Sequence, residues 1–274
     1  MEPSATDQPS AADQPDPTID AYRRRIRVVA ASDGRIDGEL ADDLHHFRVV
    51  LHHDGSVVTD ITGEGLRHPW ESCPAAAGEL RALVGAPLEE RMGAAAKHAN
   101  PKANCTHMFD LAALSMAQAW RSANRDPEAR STERRQYDVE LPMQPDEDHC
   151  VRPRLWRDGD LLLEWQLQTL PGAGRTIIAP EPYASVPFAR GFFPWTATAL
   201  DPDAGEAAFV LRRACDIGMG RGMDLDDIPV ANDLADLMLG VCYTMQPGVI
   251  ETAHRRVGAT RDYAARPDAI FDDT

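Results

Sequence analysis

Hydrophobic and polar positions along the chain switch between a period of two and a helical period, and each switch marks an element. Tyr22 to Val29 alternates as a strand, and Arg23-Arg24-Arg25 gives it a basic outer face expected to be a solvated edge. Leu44 to Ile61 reads as a hairpin, because Asp54-Gly55 stands between two β-rich arms. In its first arm Phe47, Val49 and Leu51 share a face that continues back through His45 to Asp43. His46, Arg48, Val50 and His52 share the other. With Phe47 facing the core, Asp43 and His45 lie at the open end of that face, where a pocket would form. Helical spacing follows from Pro74 to Val84, stopped by Gly85, and again from Pro87 to Lys97. A longer helix is expected from an Asn104 cap to Ala123. Its apolar stripe is Cys105, Met108, Phe109, Ala112, Met116 and Ala119, and His107, Leu111, Leu114 and Gln118 form the next stripe.

Residues 124–135 are polar and read as a linker. Strands are expected near 136–143, 149–157 and 160–168, with Asp158-Gly159 as a second tight turn. Leu161, Leu163, Trp165 and Leu167 alternate with Leu162, Glu164, Gln166 and Gln168, so one face is buried. Pro180 to Pro202 carries five prolines with Phe188, Phe192, Phe193 and Trp195, an apolar loop or short helix suited to covering a pocket. Helices are expected near 204–218, 231–240 and 248–257. The pattern implies an α+β protein with an antiparallel sheet and packed helices in its first half and a second β-meander and helices after it. The expected divisions are an acidic tail, disordered by composition, over 1–20; a first α+β region over 21–123; a linker; and a second region over 136–274 packed on the first.

Composition narrows the partners. The chain has 274 residues, 43% of them apolar, enough for a packed core. Its formal charge of −16 argues against nucleic acid and anionic membrane. No apolar run approaches a membrane span and no signal-peptide pattern is present. The five cysteines are scattered and never form CxxC, which fits reduced thiols in a bacterial-type cytoplasm. A small-molecule substrate is the expected partner, and a homodimer stays open.

The segment from Ala41 to Trp120 resembles a bacterial family, domain of unknown function 2889. The features that carry this are the Asp-Gly hairpin, Pro69 and Cys73 followed by Ala77-Gly78-Glu79-Leu80-Arg81-Ala82-Leu83-Val84-Gly85, and Cys105-Thr106-His107 opening a helix. More distantly, the same segment is similar in layout to the U-type iron–sulfur cluster assembly scaffold. Ala41-Asp42-Asp43-Leu44 stands at that family's Cys-Gly-Asp-Val, Gly85-Ala86-Pro87-Leu88 at its helix end, and Asn104-Cys105 at its His-Cys pair. Pro69 falls at the middle cysteine, with Cys73 one helical turn later. Only Asp43 and Cys105 keep the cluster chemistry, so the similarity implies the fold and not the cluster. It also implies that Asp43, Arg67, His68, Cys105 and His107 converge at one end of the hairpin.

Three chemistries suit that convergence. In a cofactor-independent acid–base site, His107 would carry the proton, oriented by Asp43 or Asp110, and Arg67 would hold an anionic or enolate oxygen. Trp70, Phe109 and the Phe192–Trp195 segment would wall an aromatic substrate, with His45, His68 and Tyr243 beside it. In a metal site, Asp43, His45, Cys105 and His107 would be the ligands. In a nucleophilic site, Cys105 at a helix start would be a thiolate. The pairs His45-His46 and His52-His53 each split across two sheet faces. Gly218-Met219-Gly220-Arg221-Gly222 reads as a helix stop and not a phosphate loop. The expectation that follows is a lyase or isomerase needing no cofactor, with His107, Asp43, Arg67 and Cys105 at its centre. Carbon–carbon cleavage or deformylation in aromatic catabolism is its specific form. A metal-binding or sulfur-transfer protein and a non-catalytic ligand-binding module are the alternatives.

Overall fold

The computed structural model describes residues 14–124, 133–170, 174–184, 186, 188 and 191–272. Most of the expected acidic tail and the middle of the expected linker lie outside them. The fold is α+β. Its sheet has seven strands in the order β4-β3-β2-β1-β5-β6-β7, every neighbouring pair antiparallel. The strands are β1 (Ala21–Ala30), β2 (Arg35–Asp42), β3 (His46–His53), β4 (Val58–Arg67), β5 (Glu133–Pro142), β6 (Arg154–Arg157) and β7 (Asp160–Glu164). A second sheet pairs β8 (Gln166–Leu170) with β9 (Gly174–Ala179).

The arginine triplet corrects the edge expectation. β1 is the middle strand, paired with β2 on one side and β5 on the other. Arg23 and Arg24 are buried, and each meets a carboxylate at its register partner: Arg23 with Glu140 on β5, and Arg24 with Asp42 on β2. A charge inside a sheet is tolerated only with such a partner.

The Asp54-Gly55 turn forms as expected, with the Asp54 carboxylate accepting from the Ser56 and Val57 N–H groups. Phe47, Val49 and Leu51 face the core. The face does not continue to Asp43. β2 and β3 are joined by a tight turn in which the Asp42 N–H donates to the His45 carbonyl at 2.9 Å, leaving Asp43 and Leu44 at its tip.

The long helix is α1 (Thr106–Ala123), capped by Cys105 and not by Asn104. It is buried on all sides from His107 to Ala119, so its two stripes merge. It packs on β1, β2 and β3. Two glycines allow this approach. A Cβ on Gly38 would come within 2.9 Å of the Ser115 hydroxyl, and one on Gly63 within 2.9 Å of the Met108 sulfur.

The expected helices at 74–84 and 87–97 appear as 3₁₀ stretches, Cys73–Leu83 and Met92–Lys97. In the second half, Asp158 and Gly159 turn with positive φ, 54° and 99°. Trp165 separates β7 from β8, its backbone N–H donating to the Pro153 carbonyl at 3.1 Å. Two helices then pack together, α2 (Phe192–Ala199) and α3 (Pro202–Ile217). The helix expected at 231–240 shrinks to a 3₁₀ turn and α4 (Ala235–Met238). No helix forms at 248–257, because its backbone is spent elsewhere. The His254 carbonyl accepts from Glu71 N–H, and Arg255 N–H donates to the Pro229 carbonyl. Among the described residues no helix is long and apolar enough to cross a membrane.

Candidate functional site

Asp42 is the last residue of β2 and is fully buried. Its Oδ1 accepts from the Leu44 and His45 N–H groups, each at 2.8 Å, and lies 3.0 Å from His45 Nδ1. Its Oδ2 accepts from the Tyr22 hydroxyl at 2.7 Å and faces Arg24 Nη2 at 3.3 Å. Burial opposes charge on this carboxyl, but the His45 contact and Arg24 prevail and hold it well below the usual range. Burial and the Asp42 charge also push the Tyr22 hydroxyl well up, keeping it a neutral donor.

His107, in the first turn of α1, closes the cluster. Its ring centroid is 3.7 Å from that of His45, and its Nε2 is 3.9 Å from Asp42 Oδ2. That Nε2 is buried and makes no hydrogen bond among the described residues. Burial, then the His45 neighbour and Arg24, push His107 well below an ordinary histidine. Burial lowers His45 as well, against the pull of Asp42. Both imidazoles are pushed below their ordinary value, so at neutral pH the pair is neutral beside an ionised carboxylate. Phe47 stacks on both rings, at 5.9 Å from His45 and 5.6 Å from His107.

The structure brings together only part of the expected set. His45 and His107 meet, but their carboxylate is Asp42. Asp43 turns to Arg221 at 2.8 Å and to the Tyr263 N–H at 3.1 Å, and burial pushes it up to about 7. Asp110, the other expected orienting group, pairs with Arg213 at 2.6 Å. Arg67 corrects its assignment as an anion holder. Its guanidinium donates to the carbonyls of Asp42 at 2.6 Å, His45 at 3.0 Å, Asp43 at 3.2 Å and Ala259 at 3.0 Å, and so braces the turn. Burial pushes the Cys105 thiol well up, which opposes the thiolate expected there. It sits 3.9 Å from His107 Nδ1. His68 is occupied by the Trp70 carbonyl at 2.8 Å and by Arg256 at 2.7 Å. Trp70 packs beneath Arg255, and Tyr243 donates its N–H to the Asn104 carbonyl.

Sequence reasoning missed Asp42, Tyr22 and Arg24. Two arginines in an alternating strand were the available signal, since a strand that buries one must bring it a carboxylate. For a metal ion, the donor atoms of Asp42, His45 and His107 lie within 4.8 Å of one another.

Beyond the first turns of α1 lies a cavity of about 780 Å³, lined among others by Met92, Phe109, Asp110, Phe193, Phe209 and Arg213. Phe109 therefore faces this space, and Phe193 and Pro194 of α2 cover part of it, as the apolar run suggested.

Residues 20–121 match the model of a family described as a protein of unknown function (DUF2889). The matched span contains Tyr22, Arg24, Asp42, His45 and His107, the whole buried cluster. A search of curated proteins finds no match to the chain.

Proposed function

We propose that the protein is an acid–base enzyme of the lyase or isomerase kind, acting on a small aromatic molecule with its own side chains as base and counter-charge. The observation that carries this is the buried Asp42–His45 contact at 3.0 Å with the His107 ring packed against it, its Nε2 without a hydrogen bond among the described residues. With its Nδ1–H donated to Asp42, His45 keeps Nε2 free to accept a proton, and Asp42 steadies the imidazolium that forms. The proton leaves a C–H or O–H group of the substrate for an imidazole. The electron pair left behind moves toward an oxygen, and the buried Arg24 guanidinium, already paired with Asp42 at 3.3 Å, supplies the counter-charge. Carbon–carbon cleavage and double-bond migration both start this way, and deformylation is one form. Five free cysteines suit a reducing cytoplasm as its setting.

The test is turnover of a panel of aromatic aldehydes, keto acids and hydroxyaryl alcohols. His45→Gln and His107→Gln should each lower turnover about 10²–10⁴-fold, the usual worth of a positioned base. Their thermal unfolding and circular dichroism should stay close to wild type. Turnover equal to wild type in both variants removes the reading.

A divalent cation is a second reading with its own observation, since Asp42, His45 and His107 form a two-histidine, one-carboxylate set. Arg24, 3.3 Å from the same carboxylate, competes with any cation there. Elemental analysis separates the two readings: about one equivalent of zinc or iron, lost in His107→Ala, would favour the metal.

A further inference from the structure

The cavity beside α1 stands apart from the histidine cluster, and its lining has a chemistry of its own. Its volume of about 780 Å³ suits a ligand of one or two rings. The walls are apolar and aromatic: Phe193 and Phe209 have ring centroids 4.5 Å apart, and Met92 and Phe109 line the same space. Arg213 is the cation that lies against these rings. The Arg213 guanidinium lies 5.4 Å from the ring centres of both Phe193 and Phe209. It engages Asp110 through Nε at 2.6 Å and Nη2 at 3.3 Å, while Nη1 makes no hydrogen bond among the described residues. The Asp110 side chain is 6% exposed, so this pair is a built feature.

The lining also departs from the charge of the chain. The chain carries 28 Lys and Arg against 44 Asp and Glu. Around the cavity, Arg91, Lys97, Lys102 and Arg213 outnumber Glu89, Asp110 and Glu206. Glu206 is further neutralised from outside by Arg121 and Arg135. Lys97 pairs with Glu89 and Arg213 with Asp110, which leaves Arg91 and Lys102 as the surplus charge of the lining; cations over aromatic walls suit a flat anion.

We propose that this cavity binds an aromatic carboxylate, its ring between Met92, Phe109 and Phe209 and its anion on Arg213. The proposal stands on the cavity alone and does not rest on the acid–base reading, because none of Asp42, His45 and His107 lines this space. The cation–aromatic stack holds the guanidinium flat, and a planar fork recognises a carboxylate through paired N–H donors.

The experiment is isothermal titration of the full chain with trans-cinnamate, and with cinnamyl alcohol as the neutral molecule of similar shape. Cinnamate should bind with saturation, and the alcohol at least tenfold more weakly. Asp110→Asn should tighten cinnamate several-fold, because it releases the fork of Arg213. Arg213→Gln should weaken it at least tenfold, and Phe209→Leu by a smaller factor. Absence of saturable cinnamate binding overturns the proposal. So does equal binding of the alcohol, or unchanged affinity in Arg213→Gln. If Arg213→Gln does not fold, Asp110→Asn decides, and weaker or equal binding there counts against the proposal. Cinnamate binding in a protein that turns over nothing on the aromatic panel keeps the cavity and removes the acid–base reading.

Discussion

Two regions meet at the first turns of α1 and treat charge in opposite ways. Toward the sheet, His107 joins a cluster in which Asp42 is fully buried and surrounded by donors from Tyr22, Arg24, His45 and the turn backbone. Toward α3, one helical turn later, Asp110 joins a single fork to Arg213 at the side of an aromatic cavity. The first region is dense and polar, and the second is roomy and apolar. Setting an imidazole's proton affinity takes burial and fixed neighbours, whereas admitting a ligand takes space. The two regions also differ in where they lie along the chain. The cluster lies wholly within residues 20–121, but Phe193, Phe209 and Arg213 belong to α2 and α3.

The largest effect should separate the two carboxylates. Asp42→Ala leaves Arg24 buried without its partner and should cost about 3–5 kcal/mol in denaturant unfolding, the usual result of breaking a buried ion pair from one side. Asp110→Ala should cost clearly less, because Arg213 is partly exposed and can turn to solvent. Equal losses would mean that the two regions are not different environments.

Next comes the seat of the helix that carries both. Gly38→Ala forces a methyl to within 2.9 Å of the Ser115 hydroxyl and 3.0 Å of Leu111. A loss of about 1–3 kcal/mol is expected from such overpacking. A neutral substitution would show that α1 is not held as closely as Gly38 implies.

A smaller effect should appear in the pH dependence of stability. The folded pKa values of His45 and His107 lie below the ordinary value of 6.5. Above that pH both states are neutral at these sites and nothing changes. As pH falls below it, the unfolded chain takes protons that the folded chain refuses, so stability drops. His107→Gln should flatten this acid limb in melts taken at a series of pH values. A limb of unchanged steepness would show that His107 is not held neutral.

The remaining effect belongs to Asp43, and its sign is opposite. Its folded pKa is raised from 3.8 to about 7, so the folded state holds the extra proton. Its contribution is therefore largest at low pH and is lost as pH rises to about 7. Asp43→Asn should remove that decline and steepen the net rise of stability with pH between 4 and 6.5.

Local signals in the sequence sufficed for elements that local geometry decides. Asp54-Gly55 and Asp158-Gly159 made their turns, and the spacing from Met108 to Ala119 made α1. What stayed hidden depended on strands far apart in the chain. Arg24 looks solvated until β2 and β5 flank it. β2 itself, with Gly38 and Glu39 in its middle, lacks the β-branched alternation that would announce it. Asp43 seemed to share the Phe47 face because alternation was carried through residues that form a turn, and one residue of slip exchanges Asp42 for Asp43. The stretch at 248–257 has helical spacing, but its backbone bonds go to Glu71 and Pro229.

The central claim is a neutral imidazole pair beside an ionised Asp42. Imidazole ¹⁵N resonance titration of the full chain, assigned with His45→Gln and His107→Gln, tests it most directly. The expected result is His45 with its proton on Nδ1 at neutral pH, and His107 neutral until the pH is well below 6.5. An imidazolium at His107 near pH 6.5, titrating as an ordinary histidine, would contradict it.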